Sequence, residues 1–266
     1  MMTFHGKIHF STNFQKCFCD MKTDTIYNQD CLAGLKNVAT ESIDLVVTDM
    51  PYKIVGGGCS PYGGNPKGIL KREREYVADD SADVVRAGKL FRHNDIEPSE
   101  WLPDVYRVLK QSTHCYIMVN ARNLKDLQVE AEKVGFVFQQ LLVWKKDNCV
   151  MNKYYMNQLE FILMLRKGAA KNVNDMGISN CLSCPNIIGK GKQHHPTQKP
   201  VALMEVLIRQ SSNEGDIVLD PFAGSGSTLI AAKRLNRRYI GFEIDSRYYG
   251  MAAKRLEMEP QQISMF

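Results

Sequence analysis

The chain has 266 residues, which at roughly 150 residues per domain corresponds to one large domain or one domain with insertions. Apolar residues make up 44% of the chain and charged residues 24%, a composition typical of folded globular proteins and not of disordered ones. No apolar run approaches the roughly 20 residues of a membrane span, and the eight cysteines are scattered without a secretory signal. We therefore expect reduced thiols and a cytoplasmic location, and the net charge of +5 permits an anionic partner without requiring one.

Strand-like and helix-like segments alternate along the chain, a pattern typical of an α/β fold with a mostly parallel sheet. Seven short segments of nearly continuous apolar character are predicted strands, as expected where helices cover both faces of a doubly wound sheet. They are Thr25–Tyr27, Ile43–Val47, Cys115–Val119, Phe136–Trp144, Leu159–Leu165, Ile217–Leu219 and Tyr239–Phe242. The sequence therefore predicts a seven-stranded sheet with helices on both faces and with loop insertions.

Two stretches interrupt this alternation. Gly56–Gly68 contains six glycines and two prolines, and the surrounding Lys53–Glu75 carries five basic residues against two acids. Lys167–Pro200 is rich in Asn, Gly, Lys and His and carries five basic residues against one acid. Long loops in compact domains are usually functional or disordered, so each stretch is either a functional segment or a solvated surface loop.

Cys181 and Cys184, followed by His194 and His195, raise the question of a zinc site. The two histidines are adjacent and follow the second cysteine closely, which departs from the usual ligand spacing. We interpret Cys181–Cys184 as a turn with small residues and expect no metal.

Residues 216–230 form a pattern of strand, tight turn and helix, with Asp220 at the strand end and two glycines, Gly224 and Gly226, in the turn. Glycines there let the backbone approach a ligand at a helix N-terminus. The next predicted strand ends at Glu243, whose carboxylate can accept hydrogen bonds from two ribose hydroxyls. The unit thus predicts a site for an adenosine-containing ligand at the carboxyl edge of the sheet.

The same turn distinguishes between two kinds of adenosine ligand. The third glycine of a dinucleotide motif is replaced by Leu229, and Asp220 is an acid where a pyrophosphate would lie. Both observations disfavour NAD and favour a ligand with a cationic centre or amine, such as S-adenosylmethionine.

A second candidate site follows the predicted strand at residues 43–48, which ends in Asp49-Met50-Pro51-Tyr52. Taken alone this is either a polar turn or a functional strand end, because α/β sheets place their chemistry at such ends. The residue types suit methylation of an exocyclic amine on a nucleobase. The Asp49 carboxylate and the Met50 carbonyl could accept the two N–H groups and stabilise the charge that develops on nitrogen. Tyr52 could stack on a base rotated out of a duplex.

These motifs together resemble the S-adenosylmethionine-dependent DNA amino-methyltransferases, which methylate adenine N6 or cytosine N4. Residues 49–52 match the family's catalytic (Asp/Asn/Ser)-Pro-Pro-(Tyr/Phe) motif except at Met50, and residues 222–226 match its Phe-x-Gly-x-Gly cofactor motif. The catalytic motif precedes the cofactor motif, with residues 195–200 (His-Pro-Thr-Gln-Lys-Pro) just upstream of the latter. That permuted order is typical of the beta group, and the resemblance covers about residues 24–255.

The resemblance implies roles for individual residues. Asp49, Met50, Pro51 and Tyr52 would form the catalytic site, with Met50 supplying a main-chain carbonyl that any residue provides. Asp30 would bind the cofactor's adenine, Glu243 its ribose, and Lys199 and Pro200 would lie near its methionine end. The rest of the cofactor site would be lined by Asp220, Phe222, Gly224, Ser225, Gly226 and Ser227.

The resemblance implies adenine-N6 methylation of duplex DNA, because Asp at the first catalytic position is typical of the adenine enzymes. Alternatives remain open at this point: a cytosine-N4 methyltransferase, a non-catalytic DNA-binding subunit that keeps the fold, and an RNA substrate. Double-stranded DNA is the expected partner, and a homodimer or a restriction or recognition partner is a further expectation by analogy with the group. The chain could be a bacterial or a phage-encoded enzyme.

The basic loops are assigned to DNA phosphates. The candidate DNA-binding residues are Lys53, Lys67, Lys71, Arg72, Lys190 and Lys192. For the domain organisation, we expect an N-terminal extension at residues 1–23 and a catalytic domain at 24–266. Within that domain, 53–100 would be an inserted loop region and 166–195 a short target-recognition segment.

Overall fold

The computed structural model describes residues 21–51, 96–150, 154–187 and 198–260. In these ranges the strands are β1 (Thr25–Asn28), β2 (Ile43–Asp49), β3 (Leu109–Val119), β4 (Val137–Val150), β5 (Asn157–Lys167), β6 (Cys181–Ser183), β7 (Ile217–Asp220) and β8 (Arg238–Glu243). The helices are α1 (Cys31–Leu35), α2 (Pro98–Val108), α3 (Leu124–Val134), α4 (Val201–Ser211), α5 (Ser227–Arg234) and α6 (Ser246–Met258). No helix in these ranges has the length and apolar character needed to cross a bilayer.

The strands form one sheet in the order β1-β8-β7-β2-β3-β5-β4-β6. Neighbouring strands are parallel except that β5 runs antiparallel to both β3 and β4. Each of the seven predicted strands is present, and the predicted α/β architecture with a mostly parallel sheet is confirmed. The carboxyl ends of β2, β7 and β8 therefore meet at one edge of the sheet, which we call the catalytic edge.

The sheet differs from the prediction in having an eighth strand among the described residues. The predicted turn at Cys181–Cys184 is instead mostly strand, because β6 pairs with β4 in parallel, with Leu182 opposite Trp144. Leu182 is buried and packs in the core, which holds this short edge strand in place. Three residues are too few to show an alternating pattern, so the sequence signal was missed. No cluster that could hold a metal occurs among the described residues, and His194 and His195 lie outside them.

Two hydrophobic clusters cover the two faces of the sheet. Leu45 and Val47 of β2 face a cluster with helices α4, α5 and α6, whereas Val46 faces a cluster with α1, α2 and α3. The alternation follows from the pleat of a strand, which sends successive side chains to opposite faces. Since both faces are covered, β2 is apolar throughout its middle, as its sequence indicates.

Two expected segment boundaries shift in the structure. Helix α2 begins at Pro98 behind a capping box formed by Glu97 and Glu100, so the last residues of the expected 53–100 insertion are helical. Strand β5 extends to Lys167, so the expected recognition segment at 166–195 begins inside a strand. Residues 1–20, 52–95 and 188–197 lie outside the described residues.

Candidate active site

The acidic residues singled out from the sequence converge on the catalytic edge. Asp49 ends β2, Asp220 ends β7 and Glu243 ends β8, while Asp30 follows β1 by two residues. The register aligns the strand ends, because Glu243 pairs with Asn28 of β1. The fold therefore brings the catalytic and cofactor motifs together, although they are far apart in the chain.

The glycine turn between β7 and α5 has the conformation that its sequence predicts. Gly224 and Gly226 both have positive φ angles, of 51° and 77°. Side chains are disfavoured in this left-handed region, so glycine suits both positions. The turn is held by main-chain hydrogen bonds, with the Ala223 N–H donating to the Phe242 carbonyl of β8 over 2.8 Å. A Cβ at Gly226 would also lie 3.0 Å from the Cβ of Ala252 in α6.

Glu243 is fixed by two main-chain N–H groups. Its Oε2 accepts from Gly224 and its Oε1 accepts from Asp245, each over 2.8 Å. Burial raises the pKa of this carboxyl to about 7, although the two N–H donors oppose the shift. A carboxylate has about four acceptor sites, so Glu243 keeps capacity for hydroxyl donors of a ligand.

Asp220 is buried beneath the glycine turn. Its Oδ1 accepts from Thr48 Oγ1 over 2.7 Å and from the Phe222 N–H over 3.0 Å. Burial raises the pKa of this carboxyl to about 6, against the lowering effect of these hydrogen bonds. Because Asp220 is only 3% exposed, it acts chiefly as a support for the turn in this structure.

Asp30 is exposed and caps helix α1. Its Oδ1 accepts from the Leu32 N–H over 2.6 Å, which is the hydrogen bond expected of an N-cap residue. The family resemblance implies adenine binding here, and the cap holds the carboxylate at the catalytic edge beside β8, the strand of Glu243.

The remaining predicted cofactor residues divide into packing and linking roles. The ring of Phe222 packs edge-on against Trp101 of α2, with 5.2 Å between centroids. Ser227 is buried, and its hydroxyl donates to the Lys199 carbonyl over 2.8 Å. The Ser225 carbonyl accepts a hydrogen bond from Arg255 of α6. Ser227 thus joins the glycine turn to the segment that contains Lys199 and Pro200.

The catalytic motif shows a charged contact that its sequence does not predict. Lys199 Nζ lies 2.6 Å from Asp49 Oδ2 and 3.4 Å from Glu160 Oε2. Lys146 donates to the other oxygen of Glu160. Burial opposes a charge on Lys199, but the two carboxylates outweigh it and raise its pKa well above the ordinary value.

Met50 differs from the family's usual proline, and its environment indicates how it is accommodated. The Met50 side chain is 5% exposed and belongs to the core cluster that contains Trp101. The side chain is therefore turned into the core, and Pro51 restricts Met50 to extended backbone conformations. The catalytic-motif residue Tyr52 lies outside the described residues.

The predicted DNA-binding residues all lie outside the described residues; they are Lys53, Lys67, Lys71, Arg72, Lys190 and Lys192. The structure does change the interpretation of two lysines in the basic stretch Lys167–Pro200. Lys167 is 4% exposed, and its Nζ donates to the Leu109 carbonyl at the edge opposite Asp49. Lys199 is engaged with Asp49. These two charges therefore do not add to a surface for DNA.

Sequence reasoning missed three residues at the site, Thr48, Lys146 and Glu160. Thr48 read as part of a buried strand, and Lys146 lies just beyond a predicted one. Glu160 gave a signal, since it is a lone acid inside the apolar segment Leu159–Leu165. Its place in the site becomes clear only when β5 is known to run antiparallel to β3, because that direction brings Glu160 to the catalytic edge.

Two aromatic side chains between β4 and β5 are strongly exposed. They are Tyr154 and Tyr155, which are 81% and 88% accessible.

Comparison with known proteins agrees with this geometry. A model of the N6/N4 methyltransferase family, described as DNA methylase, matches residues 43–254. The chain is 30% identical over 251 residues to the type II methyltransferase M2.DpnII of Streptococcus pneumoniae, covering 88% of this chain and 90% of that protein. It is 31% identical over 268 residues to the DNA adenine methyltransferase YhdJ of Escherichia coli (strain K12), covering 88% and 83%.

A solved structure shows the same similarity in three dimensions. The crystal structure of the M1.HpyAVI–SAM complex superposes with a TM-score of 0.62 at 26% identity. The match covers 87% of this chain and 98% of that one. The likeness therefore extends over nearly the whole of both proteins.

Proposed function

Because the chain belongs to the N6/N4 DNA methylase family, we propose that it transfers a methyl group from S-adenosylmethionine to N6 of adenine in duplex DNA. One observation carries the proposal. Asp49 and the glycine turn lie on adjacent strands, β2 and β7, at the same edge of the sheet. An amine held at Asp49 would therefore face a ligand held at the turn.

The residues of this chain suit S-adenosylmethionine. The left-handed turn at Gly224 and Gly226 allows close approach, and Glu243 offers acceptor sites to a ribose. Asp30 would bind the adenine of the cofactor, and Lys199 and Pro200 would lie near its methionine end. When bound, the cofactor supplies an electrophilic methyl group on a sulfonium.

The chemistry required of the protein is to hold a poor nucleophile in line. The lone pair of an exocyclic amine is delocalised into the base, so orientation and stabilisation of developing charge matter most. The Asp49 carboxylate and the Met50 carbonyl would accept the two amine N–H groups. Pro51 would restrict the backbone at Met50, and Tyr52 would stack on the base once it leaves the duplex.

Adenine is favoured over cytosine by Asp49 and by the relatives. Asp at the first position of the motif is typical of adenine enzymes in the family, and one relative is named as an adenine methyltransferase. Cytosine N4 is the alternative substrate. Nucleoside analysis of methylated DNA separates the two, since the products are N6-methyladenine and N4-methylcytosine.

Further partners follow from the named relatives as proposals. M2.DpnII is a type II methyltransferase, so we propose that this enzyme acts together with a restriction partner. It would act in the cytoplasm of a bacterium, encoded either by that bacterium or by a phage. A homodimer is the expected assembly. The basic loops, with Lys53, Lys67, Lys71, Arg72, Lys190 and Lys192, would contact DNA phosphates.

The decisive experiment measures incorporation of labelled methyl groups into mixed-sequence duplex DNA. Asp49→Ala should abolish incorporation, whereas Glu130→Gln, which alters an exposed ion pair on α3, should leave it unchanged. Digestion of the product to nucleosides should give N6-methyladenine. Near-normal incorporation by Asp49→Ala would show that the catalytic assignment is wrong, and N4-methylcytosine would establish the alternative.

A further inference from the structure

Four charged side chains form a continuous chain at the catalytic edge, which we call the charge cluster: Lys146, Glu160, Lys199 and Asp49. Lys199 Nζ lies 2.6 Å from Asp49 Oδ2 and 3.4 Å from Glu160 Oε2. Lys146 binds Glu160 Oε1. Each carboxylate oxygen of Glu160 therefore faces a different lysine, and two cations balance two anions.

The charge cluster is largely withdrawn from solvent. The side chains of Lys199 and Lys146 are 11% and 14% exposed, and those of Asp49 and Glu160 are 22% and 27% exposed. Exposed ion pairs contribute little, but a buried charge that loses its partner is strongly unfavourable. Lys199 must therefore keep a carboxylate partner even when the Asp49 carboxylate turns to another group.

This requirement conflicts with the role of Asp49 in methyl transfer. Asp49 Oδ2 is bound to the Lys199 ammonium group in the structure, which orients and neutralises the carboxylate that should stabilise positive charge developing on the amine. We infer that Glu160 is a positioning residue that takes over Lys199, so that Asp49 can turn its carboxylate to the amine. The inference rests on the proposed function, because it assumes that Asp49 receives the amine.

The surroundings of Glu160 suit this task. It begins the apolar part of β5, and the pairing of β5 with β4 fixes its backbone opposite Trp144. Lys146 is held in turn, because Gln158 Nε2 donates to its carbonyl over 2.9 Å. Burial alone would raise the pKa of Glu160, but Lys199 and Lys146 outweigh it and lower the pKa below the ordinary value. Glu160 therefore stays ionised and oriented while Lys199 shifts towards it.

The test compares single-turnover methyl transfer to duplex DNA by Glu160→Gln, Glu160→Asp and the wild type. Glu160→Gln keeps the shape but removes the charge, so Lys199 should remain on Asp49. We expect the rate constant to fall on the order of 100-fold, the effect of a misplacement of about 1 Å at a reacting centre. Glu160→Asp keeps the charge at a greater distance and should recover part of the rate.

Two further measurements distinguish positioning from a structural role. Calorimetric titration with S-adenosylmethionine should give near wild-type affinity for Glu160→Gln. Thermal melting should show some loss of stability, because Lys146 loses its carboxylate, but the variant should remain folded at the assay temperature. Glu130→Gln, which removes the partner of Lys133 on α3 at an exposure of 28% against 27% for Glu160, is the matched control and should change neither rate nor binding. A Glu160→Gln rate within twofold of wild type, or a loss explained by weaker cofactor binding or by unfolding at the assay temperature, would overturn the inference.

Asp49→Ala, assayed in parallel, separates this inference from the proposed function. If Asp49→Ala is inactive and Glu160→Gln is normal, only the role of Glu160 fails. If Asp49→Ala stays active, the catalytic assignment fails and the inference falls with it.

Discussion

Thr48 and Asp220 join the catalytic strand to the cofactor strand through a buried hydrogen bond. Thr48 Oγ1 donates to Asp220 Oδ1 over 2.7 Å, one residue before Asp49. Thr48 is fully buried and Asp220 nearly so, which makes the bond hard to replace with water. The distance between the Asp49 carboxylate and the glycine turn is thus set by β2 and β7 together and not by flexible loops.

Thr48→Val should destabilise the protein and weaken the site. Valine has a similar shape but leaves Asp220 without this donor, which costs about 1–3 kcal/mol when the acceptor is buried. Chemical denaturation measures the loss, and calorimetry should show weaker binding of S-adenosylmethionine. Thr48→Ser keeps the hydroxyl and should restore binding; equal binding by Thr48→Val and wild type would contradict a supporting role for this bond.

Cofactor binding should depend on pH through Glu243. Burial raises the pKa of its carboxyl to about 7, so the carboxylate that we propose as the acceptor of ribose hydroxyls forms as the pH rises through that value. Affinity for S-adenosylmethionine, measured by calorimetry, should therefore increase with pH across neutrality and then level off. Glu243→Gln should bind more weakly at high pH and lose most of this dependence.

The raised pKa of Glu243 has the opposite effect on the stability of the cofactor-free protein, which should fall as the pH rises. The ordinary pKa of the carboxyl is 4.5, so between 4.5 and about 7 the folded protein binds more protons than the unfolded chain. Stability from this group is fully present below the lower value and is lost as the pH rises through about 7. Denaturation of Glu243→Gln should show a smaller fall across this window, and an unchanged fall would assign it to other groups.

Met50→Pro should preserve or raise methyl transfer while lowering stability. The proposed catalytic group is the main-chain carbonyl, which proline also provides with a more restricted backbone. The Met50 side chain is buried in the core, so its replacement should cost roughly 1–3 kcal/mol of unfolding free energy. Met50→Leu is the control for packing. Loss of transfer in Met50→Pro with an intact fold would show that the methionine side chain itself is needed.

DNA affinity should weaken with salt, and the basic loop after the catalytic motif should carry part of that dependence. Replacing Lys67, Lys71 and Arg72 with glutamine should lower the slope of log affinity against log salt by about 2 to 3, if each contacts one phosphate. Cofactor binding should not change. Fluorescence anisotropy with a duplex over a salt series measures the slope.

A matched triple variant controls for the lost charge. Lys36, Lys133 and Lys254 are exposed and lie at or after the ends of helices that lead away from the catalytic edge: Lys36 follows α1, Lys133 is in the last turn of α3 and Lys254 is in the second half of α6. Their replacement by glutamine changes the net charge equally but should leave the slope nearly intact. Equal slopes for the two triple variants would show that the effect is one of overall charge.

The sequence predicted those parts of the fold that local pattern encodes. Strands β2, β3 and β7 were predictable, because burial on both faces selects continuous apolar residues. The turn at Gly224 and Gly226 was predictable, because positive φ angles favour glycine. Strand β6 was not predictable, since three residues are too few to show a period. The direction of β5 was not predictable either, because it depends on pairing with distant strands and not on the residues of β5 itself.

The site, like the fold, has parts that the sequence predicts and parts that it does not. Asp49, Asp220 and Glu243 could be placed at one edge because parallel strands end together. The contact of Lys199 with Asp49 and Glu160 could not be predicted, because it joins three segments whose relative positions depend on the order of the strands in the sheet. The buried position of Lys167 was likewise hidden, since a lysine at the end of a strand reads as a surface charge.

The reversed strand β5 also limits where a DNA-reading segment can begin. The chain leaves β5 at Lys167, on the far side of the sheet from Asp49, and regains the catalytic edge only through β6, which runs parallel to β4. Much of the described stretch after Lys167 is therefore a return path, and the described residues that follow β6, 184–187, are the first to lie at the catalytic edge again. An engineer seeking a new target sequence would do better to graft between β4 and β5, because β4 ends and β5 begins at the catalytic edge.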